Sequence, residues 1–281
     1  MDTVLLINKP AGLTSFDVVA RCRRILHEKK AGHTGTLDPE ASGLLIVLTG
    51  KYTKYLPYCV HHHKQYAAEF RLGMKSNTED IWGDVISTGL KASHTEAEIQ
   101  VLADRMLGRY MQIPPMFSAL KKDGRKLYEY ARKGIEVERE PRDCFIDSLT
   151  VHKLDEDRWS LEATVSSGTY IRTLITDLAA SAGEDAVMSA LVRTGIEQLS
   201  LEEAVSLDAL SLDHLPAFDI ARILDPELPL VEVQDPLPVY RGMTVALPRD
   251  DEIVILCYNK QILAAYERRD DGLYHCRRGL F

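Results

Sequence analysis

Residues 32–43 read Gly32-His33-Thr34-Gly35-Thr36-Leu37-Asp38-Pro39-Glu40-Ala41-Ser42-Gly43, and an apolar run, Leu44–Leu48, follows at once. Glycine and proline restrict where a backbone can go, so a polar run this rich in them is a shaped loop feeding a buried strand. Asp38 sits inside it, two residues before Glu40. A carboxylate on a rigid loop is a candidate nucleophile or acid–base group. Asp before Pro also starts turns and caps helices, and Gly-His-Thr-Gly alone is only a turn. Loop chemistry by itself leaves both readings open. A phosphate loop is excluded, because the G-x-x-x-x-G-K-[ST] spacing is absent.

Around this loop the patterning alternates between helix and strand. Val4–Ile7 is a short apolar strand. Thr14 or Ser15 caps a helix with apolar positions at Val18, Val19, Cys22, Ile25 and Leu26. Tyr66, Ala68, Phe70 and Leu72 alternate along a half-buried strand. Thr95 and Glu98 form a capping box for a helix reaching to about Leu107. A short helix at Leu127–Ala131 stops at Gly134. Strands follow near 144–153 and 158–165, then a helix from about Thr169 to Ala182, ended by Gly183. No regular βαβ repeat is present, so the class is α+β. Pro216, Pro226, Pro229, Pro236 and Pro238 punctuate a linker at about 200–235. That predicts a main domain over 1–235 and a small β-rich domain over 236–281, with strands at Met243–Leu247, Ile253–Tyr258 and Ile262–Tyr266.

The apolar share of 45% in 281 residues is enough for a sizeable core. No apolar run is long enough to span a bilayer, and the N-terminus lacks the basic region and cleavage site of a signal peptide. Five scattered cysteines, none in a C-x-x-C pair, point to reduced thiols in a cytoplasmic protein without a zinc site. His61-His62-His63 reads as a solvated or RNA-facing segment, because three consecutive side chains rarely face one ion.

The net charge of −8 looks wrong for a nucleic-acid binder. The whole deficit lies in residues 200–235, which hold nine acidic residues and one arginine. Residues 109–142 carry nine Lys/Arg against five Asp/Glu, and residues 21–33 carry five against one. Nucleic-acid affinity follows local basic faces rather than the total. A solvated helix face remains the alternative for either run alone.

Several blocks resemble, in order, those of the TruB family of tRNA pseudouridine synthases. The Asp38 run is similar to that family's active-site motif. Lys9-Pro10-Ala11-Gly12-Leu13-Thr14-Ser15 is similar to its K-P-x-G-x-[ST]-S block, and Lys64-Gln65-Tyr66 to the block with its active-site tyrosine. Gln112–Lys121 and Gly124–Arg132 resemble its RNA-gripping insertion, here about 109–142. Ser167-Gly168-Thr169-Tyr170-Ile171-Arg172 resembles its G-T-Y-[IV]-R block. The resemblance implies the pseudouridine-synthase fold, a central mixed sheet with flanking helices, and a PUA-like C-terminal domain. For that tail, a β-rich appendage packed on the catalytic domain is the other reading.

The implied reaction converts uridine to pseudouridine at position 55 in the TΨC loop of tRNA, with no cofactor and no metal. The base leaves ribose at N1, turns, and rejoins through C5. Asp38 is the implied catalytic carboxylate, either as a nucleophile or by removing a ribose proton. Arg172 is the fixed cation that keeps it ionised. Tyr66 stacks on the uracil. Leu191 packs beside the base, and His33 fills the gap that the flipped nucleotide leaves. Lys121, Lys122, Arg125, Lys126, Arg132 and Lys133 hold phosphates, on an insertion expected to order on RNA. Residues alone also allow blander readings: Tyr66 and Leu191 as core, Arg172 at a surface, His33 in a turn. The implied partner is the tRNA T-arm, met by a monomer with no guide RNA, protein partner or membrane. A guide-RNA-dependent relative is disfavoured by the insertion sequence Tyr128–Val137. A non-catalytic RNA-binding or tRNA-folding protein on the same fold is the alternative. A carboxylate hydrolase would want a second acid beside Asp38, for which Glu40 is the only near candidate.

Overall fold

The structure is a computed structural model that describes every residue except Val60, Asp213, His214, Pro216 and Ala217. Pro216 of the linker therefore lies outside the described residues. The chain forms two compact units: one from Met1–Pro39, Gly43–His61 and Leu201–Phe281, the other from Glu40–Ser42 and His62–Ser200.

The first unit opens with β1 (Thr3–Lys9), almost wholly buried. Helix α1 (Ser15–Ile25) begins at a complete capping box: the Thr14 hydroxyl accepts from the Asp17 N–H at 3.0 Å, and the Asp17 carboxylate accepts from the Thr14 N–H at 2.9 Å. Its Val18, Val19 and Cys22 face Leu5, Ile7, Leu45 and Val47, which line one side of the sheet. β2 (Ala31–His33) pairs antiparallel with β3 (Ser42–Thr49), and so does β1. A 3-10 helix over Gly50–Tyr58 follows, which the sequence did not signal.

The second unit is built on β4 (His63–Leu72). β5 (Met74–Ser76) and β6 (Val85–Ser87) form a hairpin, and α2 spans Glu96–Asp104. α2 stops short of Leu107 because Gly108 turns the chain with a φ of +85° into β7 (Gly108–Gln112). The insertion holds β8 (Lys121–Lys122), β9 (Arg125–Lys126) and the short helix α3 (Leu127–Ala131). Then come β10 (Arg142–Lys153), β11 (Arg158–Ser166), α4 (Ile171–Ser181), β12 (Ala186–Ile196) and β13 (Leu199–Ser200). The sheet runs β12-β4-β11-β10-β7, antiparallel throughout, with β13 beside β12. Tyr66, Ala68, Phe70 and Leu72 alternate onto its buried side, where Phe70 stacks on Trp159 with centroids 6.4 Å apart. β12 carried no clear signal in the sequence. Its run Ala186–Ile196 is apolar on both sides and has neither a clear two-residue nor a helical period.

The chain returns to the first unit with β14 (Val205–Ser206), which pairs parallel to β1 and makes that sheet mixed. The C-terminal sheet is β15 (Leu230–Glu232), β16 (Ile253–Tyr258), β17 (Gln261–Arg268) and β18 (Tyr274–Gly279), with α5 (Leu237–Tyr240) between the first two. Val239, Val254, Leu256, Leu263, Tyr266 and Tyr274 fill its core. Met243–Leu247, expected as a strand, contributes only a single bridge, Val245 to Tyr274. The outer strands come instead from Leu230–Glu232 and Tyr274–Gly279.

All five cysteines are free thiols, and burial pushes Cys22 and Cys257 up to about 11 and Cys59 to about 12. Among the described residues no helix is long and apolar enough to cross a membrane.

Candidate active site

Asp38 lies between β2 and β3 in the first unit, half-buried. Its two neighbours in sequence are clamped. On one side the Ser15 hydroxyl, at the first residue of α1, accepts from the Leu37 N–H at 2.9 Å and donates to the Leu37 carbonyl at 3.3 Å. On the other, the Pro39 carbonyl accepts from the Lys9 ammonium at 2.8 Å and from the Gly12 N–H at 3.0 Å. Lys9 also donates to the Pro10 carbonyl at 2.9 Å and is fully buried. A buried backbone group left unpaired costs about 1–3 kcal/mol, so these bonds fix the loop's path. Gly12 supplies the turn, at a φ of +81°. Three residues of the block Lys9–Ser15 thus grip the two positions flanking Asp38, which gives that block a structural role. His33 ends β2 opposite Val47, half-buried and five residues before Asp38.

In the second unit, Tyr66 sits on β4 directly across from Arg193 on β12, and Leu191 lies across from Ala68. Residues two apart on a strand share a face. Lys64, Tyr66, Ala68, Leu191 and Arg193 therefore lie on one face of the sheet. Tyr66 is 9% exposed, Leu191 8% and Arg193 1%. The structure brings Tyr66 and Leu191 together as an aromatic and an aliphatic surface side by side.

Arg172 occupies the first turn of α4 and is 4% exposed, not the surface residue that its position in the sequence allows. Its guanidinium donates to the Thr78 carbonyl at 2.7 Å and the Phe117 carbonyl at 3.0 Å, and its Nε lies 3.9 Å from an Asp80 oxygen. One side chain thereby ties α4 to the β5–β6 turn and to the start of the insertion. Next to it, Thr173 donates to the Glu79 carboxylate at 2.6 Å; burial raises the pKa of Glu79, partly offset by that bond and by Arg172. Further along α4, the Tyr110 hydroxyl donates to Asp177, and burial raises both groups.

The insertion presents its cations outward. Lys121, Arg125, Arg132 and Lys133 are exposed, while Lys122 and Lys126 are half-buried. Lys122 donates to the Glu138 carbonyl at 2.5 Å. Lys126 and Arg132 both lie over the Tyr128 ring, 5.5 and 5.2 Å from its centroid. Arg139 anchors the base of the insertion through the Pro114 carbonyl at 3.0 Å.

The model of the N-terminal domain of TruB family pseudouridylate synthases matches residues 23–171. The chain belongs to the TruB family. It is 46% identical over 210 residues to tRNA pseudouridine synthase B of Burkholderia mallei, covering 75% of this chain and 69% of that protein. It is 37% identical over 287 residues to the protein of the same name from Bacillus velezensis, covering 94% and 92%. Among solved structures, a crystal structure of a Cbf5-Nop10-Gar1 complex matches with a TM-score of 0.72 at 23% identity, over 99% of this chain and 84% of that one. An archaeal box H/ACA sRNP Nop10-Cbf5 complex matches at 0.68 and 20%. These two likenesses show the fold, a pseudouridine-synthase fold of class α+β with a β-rich C-terminal part.

Within this TruB family member, the sequence named Ser15 as a cap and block residue but not its bonds to Leu37, and it gave no sign of Asp80, Arg193 or the Tyr110–Asp177 pair.

Proposed function

We propose that the chain converts uridine to pseudouridine at position 55 in the TΨC loop of tRNA, with Asp38 as the carboxylate that acts at C1′. The observation carrying this reading is the clamp on Leu37 and Pro39, which presents Asp38 on a backbone fixed from both sides. Holding a reacting group in place is worth several kcal/mol of a barrier. The isomerase activity on tRNA is that of the family, whose curated members at 46% and 37% identity carry the name tRNA pseudouridine synthase B.

In this reading the N1–C1′ bond breaks, a C5–C1′ bond forms, C5 loses its hydrogen and N1 gains one. Tyr66 stacks on the uracil with Leu191 packed beside it, and the flat phenol ring suits a base that must turn while bound. Arg172, pre-oriented by two carbonyls, is the fixed cation of this reading, since a guanidinium stays charged and holds an anion in two-point geometry. His33 stacks where the flipped base was, because extrusion costs a few kcal/mol that a replacement ring recovers in part. Lys121, Lys122, Arg125, Lys126, Arg132 and Lys133 meet phosphates along the T-arm. The chain works as a monomer without guide RNA or protein partner, and the part after 235 is a PUA-like domain.

Release of tritium from full-length tRNA labelled at C5 of uridine tests this, using the purified chain alone. Wild type is expected to release one equivalent per tRNA, and Asp38→Asn to bind tRNA normally and release none. Absence of release by wild type from well-folded tRNA would refute the reading. Release that appears only on adding a guide RNA would refute the stand-alone part.

A further inference from the structure

The turn Ser166–Tyr170, between β11 and α4, holds two cations that the catalytic reading does not use. Lys64, on β4, points its ammonium at the Ser167 hydroxyl at 2.9 Å. Arg142, at the start of β10, lies over Gly168, with Nη1 3.8 Å from where a β-carbon would stand. Gly168 itself has a φ of +91°. Among the described residues neither cation has a carboxylate within ion-pair distance. The acids nearby are occupied. Asp147 holds His63 at 2.7 Å, and Glu197 accepts from the His62 and His63 N–H groups at 2.5 and 3.0 Å.

Lys64 is kept at a cost. Burial and the neighbouring Arg193 charge push its pKa down to about 8, against a weaker opposite pull from Glu197. Lys64 is half-buried and Arg142 exposed, so both heads stay within reach of a ligand from solvent. Their hydrogen-bonding capacity is only partly used. Lysine only donates, and one of its N–H groups is spent on Ser167. The Ser167 oxygen accepts that bond, so its own O–H remains a donor. The turn is held rigidly beneath. The Ser167 N–H donates to the His62 carbonyl at 2.8 Å, the Phe145 N–H donates to the Ser166 hydroxyl at 2.8 Å, and Gln112 grips both the N–H and the carbonyl of Tyr170 at 2.7 and 3.0 Å. An ammonium, a hydroxyl and a guanidinium gathered on a fixed turn are the donors that a phosphate takes.

We propose that the turn Ser166–Tyr170, with Lys64 and Arg142, seats one backbone phosphate of the substrate RNA. This rests on the RNA-isomerase reading above. The seat shares β4 with Tyr66 two residues away, so it registers the RNA strand next to the face that holds the base. Phosphate contacts of this kind fix register and carry no sequence information.

The test is filter binding of tRNA to the full chain over a salt series, with Lys64→Met, Arg142→Gln and Arg142→Lys. Lys64→Met and Arg142→Gln are each expected to weaken binding about three- to tenfold, and each to flatten the log Kd against log salt slope by about 0.7–0.9. Arg142→Lys keeps the charge and the slope. A methylphosphonate scan of the T-arm then finds the linkage. Neutralising it weakens wild type by the same factor and leaves Lys64→Met no weaker than before. Wild-type Kd and slope in both charge-removing variants, or additive losses at every linkage, would overturn the seat. The same wild-type preparation is assayed for tritium release. Release with unaffected variants sinks the seat alone, whereas non-additive binding without release sinks the isomerase reading and leaves the seat standing.

Discussion

Ser15→Ala is the sharpest probe of how Asp38 is held. Ser15 is 2% exposed, and its hydroxyl serves both polar groups of Leu37, which is itself 4% exposed. Alanine removes one oxygen and leaves the N–H and the carbonyl of Leu37 without that partner. The 2.9 Å bond is the strong one; the 3.3 Å bond adds less. An orphaned buried amide costs about 1–3 kcal/mol, so about 2 kcal/mol is expected for the pair. That lowers Tm by about 4–8 °C in a chain of this size. Helix α1 keeps its cap, because Thr14 and Asp17 make it without Ser15. The loss therefore falls on the Asp38 loop. A shift of about 1 Å in a reacting group is worth about 100-fold in rate, and even partial relaxation should cost about tenfold. Single-turnover tritium release at saturating tRNA measures this, with tRNA affinity measured separately. A Tm drop of the expected size with a rate within about twofold of wild type would refute the idea that this clamp positions the carboxylate. An unchanged Tm would refute the hydrogen bonds themselves.

Two further outcomes follow from buried charge. The folded-state pKa of Lys64 is about 8, below the ordinary 10.5, so the unfolded chain holds more protons between those values. Stability from this group therefore rises with pH across that window. Lys64→Met should raise Tm at about pH 7 and lose that advantage by about pH 10 in a differential scan; equal gains at both pH values would count against it. Glu79 has the opposite sign, an acid raised by burial above its ordinary 4.5. Its contribution is full below 4.5 and is lost as pH rises through the raised value. Glu79→Gln keeps the bond from Thr173, and should raise Tm at about pH 7.5 by a few degrees with no gain at about pH 4. A gain that persists in acid would show that charge is not the cause.

What this sequence determined by itself is local. Thr14 with Asp17 and Thr95 with Glu98 announce two capping boxes, and both form, because a cap needs only residues three apart. The alternation from Tyr66 to Leu72 announces β4, since a half-buried strand repeats every two residues. The order of the motif blocks pointed to the family before any coordinate did. Tertiary structure decided everything that needs a partner far along the chain. Ser15 reaches Leu37 across 22 residues, Arg172 reaches Thr78 across 94, and Lys64 reaches Ser167 across 103. No periodicity or cap rule encodes such pairings, because they exist only once the sheets are assembled and strands distant in sequence lie about 5 Å apart. The same is true of burial. Arg172 and Arg193 look like ordinary exposed arginines in one dimension, and only packing takes them to 4% and 1% exposure. Helix α2 ended early at a local signal, the turn at Gly108, whereas β12 went unseen and Met243–Leu247 failed to become a strand because of their partners elsewhere in the chain. At those two places the neighbours in space, rather than the neighbours in sequence, chose the backbone.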